Sequence, residues 1–120
     1  MKRKDFEIFF YENILKERPE FVGALISLGD AYTRRGLYQE GLAVDRKLAD
    51  LRPDDPIIHY NLACSLSLVG NPQEALRELK KAILLGYDDF SYIMEDADLK
   101  NVRDLPEFKT LHLKLKKIED

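Results

Sequence analysis

The run Leu28-Gly29-Asp30-Ala31-Tyr32-Thr33-Arg34-Arg35-Gly36-Leu37-Tyr38-Gln39-Glu40-Gly41-Leu42 is answered 34 residues later by Leu62-Ala63-Cys64-Ser65-Leu66-Ser67-Leu68-Val69-Gly70-Asn71-Pro72-Gln73-Glu74-Ala75-Leu76. Leu28-Gly29 returns as Leu62-Ala63, Gly36 as Gly70, and Glu40-Gly41-Leu42 as Glu74-Ala75-Leu76. The same spacing carries Leu51 to Leu85 and Pro19 to Pro53. A fixed period of this length marks a helix-turn-helix solenoid, whose units bury their apolar faces against each other. The expected fold class is therefore all-α, a right-handed α-solenoid.

Working outward from the repeat, the punctuation predicts the helices. Phe6, Ile8, Phe9, Phe10, Tyr11, Ile14 and Leu15 fall at helical spacing before Pro19, which disfavours helix at the residue preceding it. A second helix runs to Gly36, which supplies a left-handed cap. A third runs from about Tyr38 to Leu51. Pro56 opens a fourth that ends at Gly70. Asn71 is expected to cap a fifth, opened by Pro72. Beyond Leu85 the period fades and acidic residues crowd at Asp88, Asp89, Glu95, Asp96 and Asp98. Short helices are expected near Phe90 to Met94 and Leu99 to Arg103, then a last helix from Pro106 with Phe108, Leu111, Leu115 and Ile118 on one stripe. No stretch alternates as a strand does.

Bulk composition narrows the function classes. A chain of 120 residues, 45% hydrophobic and 10% aromatic, can bury one core and is not disordered. The net charge of -3 argues against a nucleic-acid partner, which calls for a basic surface. No apolar run approaches the roughly 18 residues of a membrane helix. The single cysteine allows no internal disulfide. Acidic residues interrupt the N-terminal apolar stretch, and no small-residue cleavage site follows it. The chain reads as cytoplasmic, or as a soluble piece of a larger protein.

The repeated residues resemble the tetratricopeptide repeat (TPR) family, whose unit is two antiparallel helices, A and B. Counting units from Val22 and Pro56, small residues stand where the family has them, at Gly29, Ala63, Gly41 and Ala75. The resemblance implies one domain over 1–120. It comprises an N-terminal capping helix at 4–19, repeats at 22–55 and 56–89, and a degenerate closing unit at 90–120 of the kind seen in bacterial TPR proteins. Asp45 departs from the pattern, because the family places an aromatic or apolar residue there, and it suggests a repacked helix B.

The resemblance further implies a protein-protein interaction module, a scaffold or adaptor that binds a peptide segment or partner protein on the concave face. The groove positions carried over are Ser27, Asp30, Thr33, Arg34, Tyr60, Asn61, Cys64 and Ser67, with Gly23, Ile26, Ile57 and Leu68 beside them. The alternative is that these are solvated or locally paired residues, as Asp30 and Arg34 are at i,i+4 spacing. Arg34 is the one positive group in the set, so a segment with a basic group is expected. Chaperone-binding members grip a C-terminal carboxylate. Asn61 matches that pattern, but Ile26, Asp30, Ser91 and Glu95 stand where its other residues belong, so tail binding is not expected.

No enzyme is expected, and no cofactor. His59 and Cys64 share a helix but face different ways, and His112 is remote, so no metal set has ligand spacing. Phosphate loops and nucleophile elbows are missing. The first helix is apolar on more than one face, which normally means burial on more than one face. Phe6, Phe9 and Phe10 are therefore candidates for self-association, against the alternative of a wide core contact. Self-assembly into a weak homo-oligomer through the terminal helices is the second functional reading.

Overall fold

The computed structural model describes residues 3–119. Its helices are α1 (Arg3–Glu17), α2 (Val22–Arg34), α3 (Tyr38–Leu51), α4 (Pro56–Leu68), α5 (Pro72–Leu84), α6 (Phe90–Glu95), α7 (Lys100–Arg103) and α8 (Pro106–Glu119). A 3₁₀ turn at Ala97–Leu99 leads into α7. Helix makes up 81% of the described residues, and no strand occurs among them. Helices α2 and α4 start 34 residues apart, as do α3 and α5, so the sequence period is also the structural one.

Local chemistry sets the boundaries. Gly36 and Gly70 take positive φ, +76° and +85°, where a side chain would be strained. After each, a backbone N–H reaches five residues back, from Leu37 to the Tyr32 carbonyl and from Asn71 to the Leu66 carbonyl. This is the Schellman closure of a helix end. Asp55 caps α4, accepting from the Ile57 and Ile58 amides. Asn71 precedes α5 but makes no such cap; its amide donates to Glu74 instead.

The small residues permit close helix pairs. A methyl built on Gly29 would meet Val44 at 3.2 Å and Asp45 at 3.4 Å, and one on Gly41 would meet Thr33 at 3.0 Å. Ala63 and Ala75 are fully buried where α4 meets α5. The main core joins α4 and α5 to the closing unit through Leu66, Leu79, Ile93, Leu99, Val102 and Phe108. A smaller cluster of Leu25, Leu48 and Ile58 ties the two repeats together, with Leu15 of α1 packed on it.

Polar contacts position both ends. Glu7 of α1 receives Arg34 at 2.8 Å and Arg35 at 2.9 Å, and the two guanidiniums hold its carboxyl below the usual range. Tyr32 donates to Glu12 at 2.5 Å. In the closing unit, Arg103 donates to the carbonyls of Ile93 at 2.8 Å and Asp96 at 2.6 Å. His59 is buried in the first turn of α4. Its ring nitrogens reach Glu78 at 2.8 Å and the Pro53 carbonyl at 2.7 Å, so α4 is pinned both to α5 and to the preceding turn.

Candidate functional site

Helices α2 and α4 are the A helices of the two repeats, and a cavity of about 500 Å³ opens along them. Residues of α3, of α6 and of the 3₁₀ turn close its sides. Six of the eight residues placed in the groove from the sequence line it: Ser27, Asp30, Thr33, Tyr60, Asn61 and Cys64. Exposed Ile26 and Ile57 add apolar surface.

Two placements need correction. Ser67 is fully buried, because the closing unit packs over its side of α4. Asn101 of α7 donates to the Ser67 carbonyl at 3.1 Å. Arg34 turns out of the groove, held by Asp30 at 2.9 Å and by Glu7 of α1 at 2.8 Å. The expected positive group of the groove therefore belongs to the α1 contact.

Tyr60 and Cys64 face the cavity but are already engaged. Tyr60 donates to Asp96 at 2.6 Å and stacks on Tyr87, with ring centroids 4.2 Å apart. The Cys64 thiol approaches the same carboxylate oxygen at 3.6 Å, while the Asp98 amide donates to the other at 3.0 Å. Burial and the charge of Asp96 push the Cys64 thiol far up, so it stays protonated and a poor nucleophile. Sulfur and carboxylate oxygens of Cys64, Asp96 and Asp98 lie within 4.8 Å of one another. Sequence spacing gave no sign of this cluster. Its central carboxylate is filled by three hydrogen-bond donors, which makes it a structural network.

Asp45 is the other group that sequence reasoning undervalued. It departs from the repeat pattern because it is a buried carboxylate, 8% exposed, that accepts a hydrogen bond from Ser65 of α4. Burial pushes its pKa up to about 6, and only the Ser65 bond opposes this. Asp98 is also raised, by burial and then by Asp96. Neither has a cation beside it among the described residues. The cavity lining holds five aspartates, Asp30, Asp45, Asp55, Asp96 and Asp98, and, among the described residues, no lysine, arginine or histidine.

No protein-family profile matches the chain. Over 86 residues, 69% of the chain, it is 30% identical to a chloroplastic protein of Arabidopsis thaliana. The match spans only 26% of that relative. Among solved structures, MamA from Desulfovibrio magneticus RS-1 superposes over 98% of this chain and 68% of its own, at a TM-score of 0.71 and 18% identity. MamA of MSR-1 does so over 98% and 70%, at a TM-score of 0.68 and 19% identity. Such identities speak to fold. Together with the repeated helix pairs, the glycine caps and the small contact residues, they make this chain an all-α solenoid with the tetratricopeptide-repeat fold.

Proposed function

We propose that the protein is an interaction module whose α2–α4 face holds an extended segment of a partner protein. The observation that carries this reading is the cavity along the two A helices. Its rim pairs exposed Ile26 and Ile57 with the free amide side chain of Asn61. Apolar surface with a few convergent polar groups is what a recognition site needs. Cys64, buried and held protonated, is a poor nucleophile, which supports binding over thiol catalysis as the activity assigned. Among the described residues no helix is long and apolar enough to cross a membrane. A cytoplasmic location is proposed with this reading, and the single cysteine, which can form no internal disulfide, is compatible with a reducing compartment.

The test is a peptide-display library panned against the chain and against Ile57→Arg and Asn61→Arg, both at exposed positions. Peptides are expected to bind the parent and to lose roughly tenfold or more on either change. Enriched peptides that ignore both substitutions, or no enrichment, would remove the groove reading.

A second reading rests on α1. Phe6, Phe9 and Phe10 are 59%, 48% and 49% exposed and line a shallow apolar depression with Ile14. At the other terminus Leu113 and Ile118 of α8 are also exposed. Self-association through these helices would leave the groove free.

A further inference from the structure

We infer that the groove is built around a cationic side chain, and that the segment it takes carries a lysine or arginine directed at Asp45, with Asp98 beyond α4 adding to the negative potential of the lining. This rests on the groove reading above and specifies its ligand chemistry. Charge comes first. Five aspartates and, among the described residues, no basic side chain line the cavity. Two of the five are committed elsewhere: Asp55 to the α4 amides, and Asp30 to Arg34. Asp96 is filled by Tyr60, Cys64 and the Asp98 amide. Among the described residues Asp45 and Asp98 remain without a counter-charge.

Burial is the second, independent observation. Asp45 is more than nine-tenths buried, lines the cavity, and uses one oxygen for Ser65, while among the described residues no donor reaches the other. Burying a carboxylate without a cation is unfavourable. Its counterpart 34 residues on, Leu79, packs in the apolar core, whereas Asp45 has the Ser65 bond as its one recorded polar contact among the described residues. A cation arriving from the groove would supply the missing partner. Shape agrees: the cavity is open along the A helices, so an extended chain can lie in it and lower one long side chain. Tyr92 stands half-exposed at the rim near Asp96, and its ring face suits a guanidinium or ammonium.

The experiment uses the same displayed library, sequenced after panning on the parent chain, on Asp45→Asn and on Asp98→Asn. Thermal melts and helical circular dichroism first establish that the variants are folded; Asp98→Asn, at a half-buried turn position, guards against failure of the other. Groove-dependent peptides are expected to share a lysine or arginine at one position. A synthetic peptide of that sequence should bind the parent roughly ten- to a hundredfold more tightly than either variant. Its glutamine-substituted form should bind all three chains alike. Groove-dependent peptides with no basic position, or with an acidic one, would overturn this inference and leave the groove reading standing. Enrichment that ignores Ile57→Arg and Asn61→Arg would overturn both.

Discussion

Asp45 and its counterpart Leu79 show one repeat position handled in two ways. Leu79 is fully buried and packs in the apolar core, whereas Asp45 is buried and bonded to Ser65. The folded pKa of Asp45, about 6, lies above the ordinary value of 3.8. A raised acid binds its proton more tightly when folded, so its contribution to stability is fully present below about pH 4 and is lost as pH rises through 6. The difference corresponds to about 3 kcal/mol. Asp45→Asn should therefore be the more stable protein at pH 7, and its advantage over the parent should shrink toward pH 4. Glu7 and Glu74, whose carboxyls are lowered by arginines, drive the parent the opposite way, so the difference between the two proteins is the quantity to plot from urea titrations. An advantage that does not vary with pH would mean that Asp45 is not the buried acid described. Gly29→Leu and Ala75→Leu test the small residues: each forces a side chain into a closed helix contact, at a cost of about 1–3 kcal/mol in the same titrations. Unchanged midpoints would refute the packing.

At the level of elements, one side chain ties together the turns of the closing unit. Arg103 bridges the carbonyls of Ile93 and Asp96, which end α6 and start the 3₁₀ turn. Arg103→Ala removes two charge-assisted bonds, each worth about 1.5–3 kcal/mol. Amides from α6 to α7 should then exchange with deuterium faster, while those of α2 and α3 keep their rates; uniform acceleration would show a single cooperative unit instead. The helices themselves were legible in the sequence because their punctuation acts locally. Pro56 and Pro72 open helices α4 and α5, and Gly36 and Gly70 close α2 and α4, through effects confined to a few residues. The candidate site was legible only where the period holds. Ser27, Asp30, Thr33, Asn61 and their neighbours follow from position on an A helix. Ser67 and Arg34 did not, because their surroundings come from α7 and α1, outside the two repeats. Asp96 lies where the period has faded, and its bond to Tyr60 spans 36 residues. Asp45 stood out as an exception to the pattern, but nothing in its spacing pointed to Ser65.

The whole molecule is elongated, 48 × 26 × 21 Å. Its radius of gyration of 15.2 Å exceeds the roughly 13.6 Å expected of a compact chain of this length. That shape follows from stacking each helix pair on its neighbour, and it leaves terminal helices that need cover. Helix α1 meets α2 through Leu15 and the Glu7 and Glu12 contacts, while Phe6, Phe9 and Phe10 stay about half exposed. Exposed apolar patches mark association sites more often than scattered residues do. Three half-exposed phenyl rings fall well short of the roughly 800 Å² that each partner of a stable complex buries, so self-association through α1 is expected to be weak. Sedimentation velocity should show an average coefficient that climbs with concentration. The double change Phe9→Ser and Phe10→Ser should abolish the climb without loss of helix. Phe→Ala at a buried site costs about 3–5 kcal/mol, and each of these should cost well under that, since half of the ring is already in water. A chain that sediments as monomer at concentrations on the order of 1 mM would rule out self-association. Variants that fail to fold would instead make the aromatic face of α1 essential to the core.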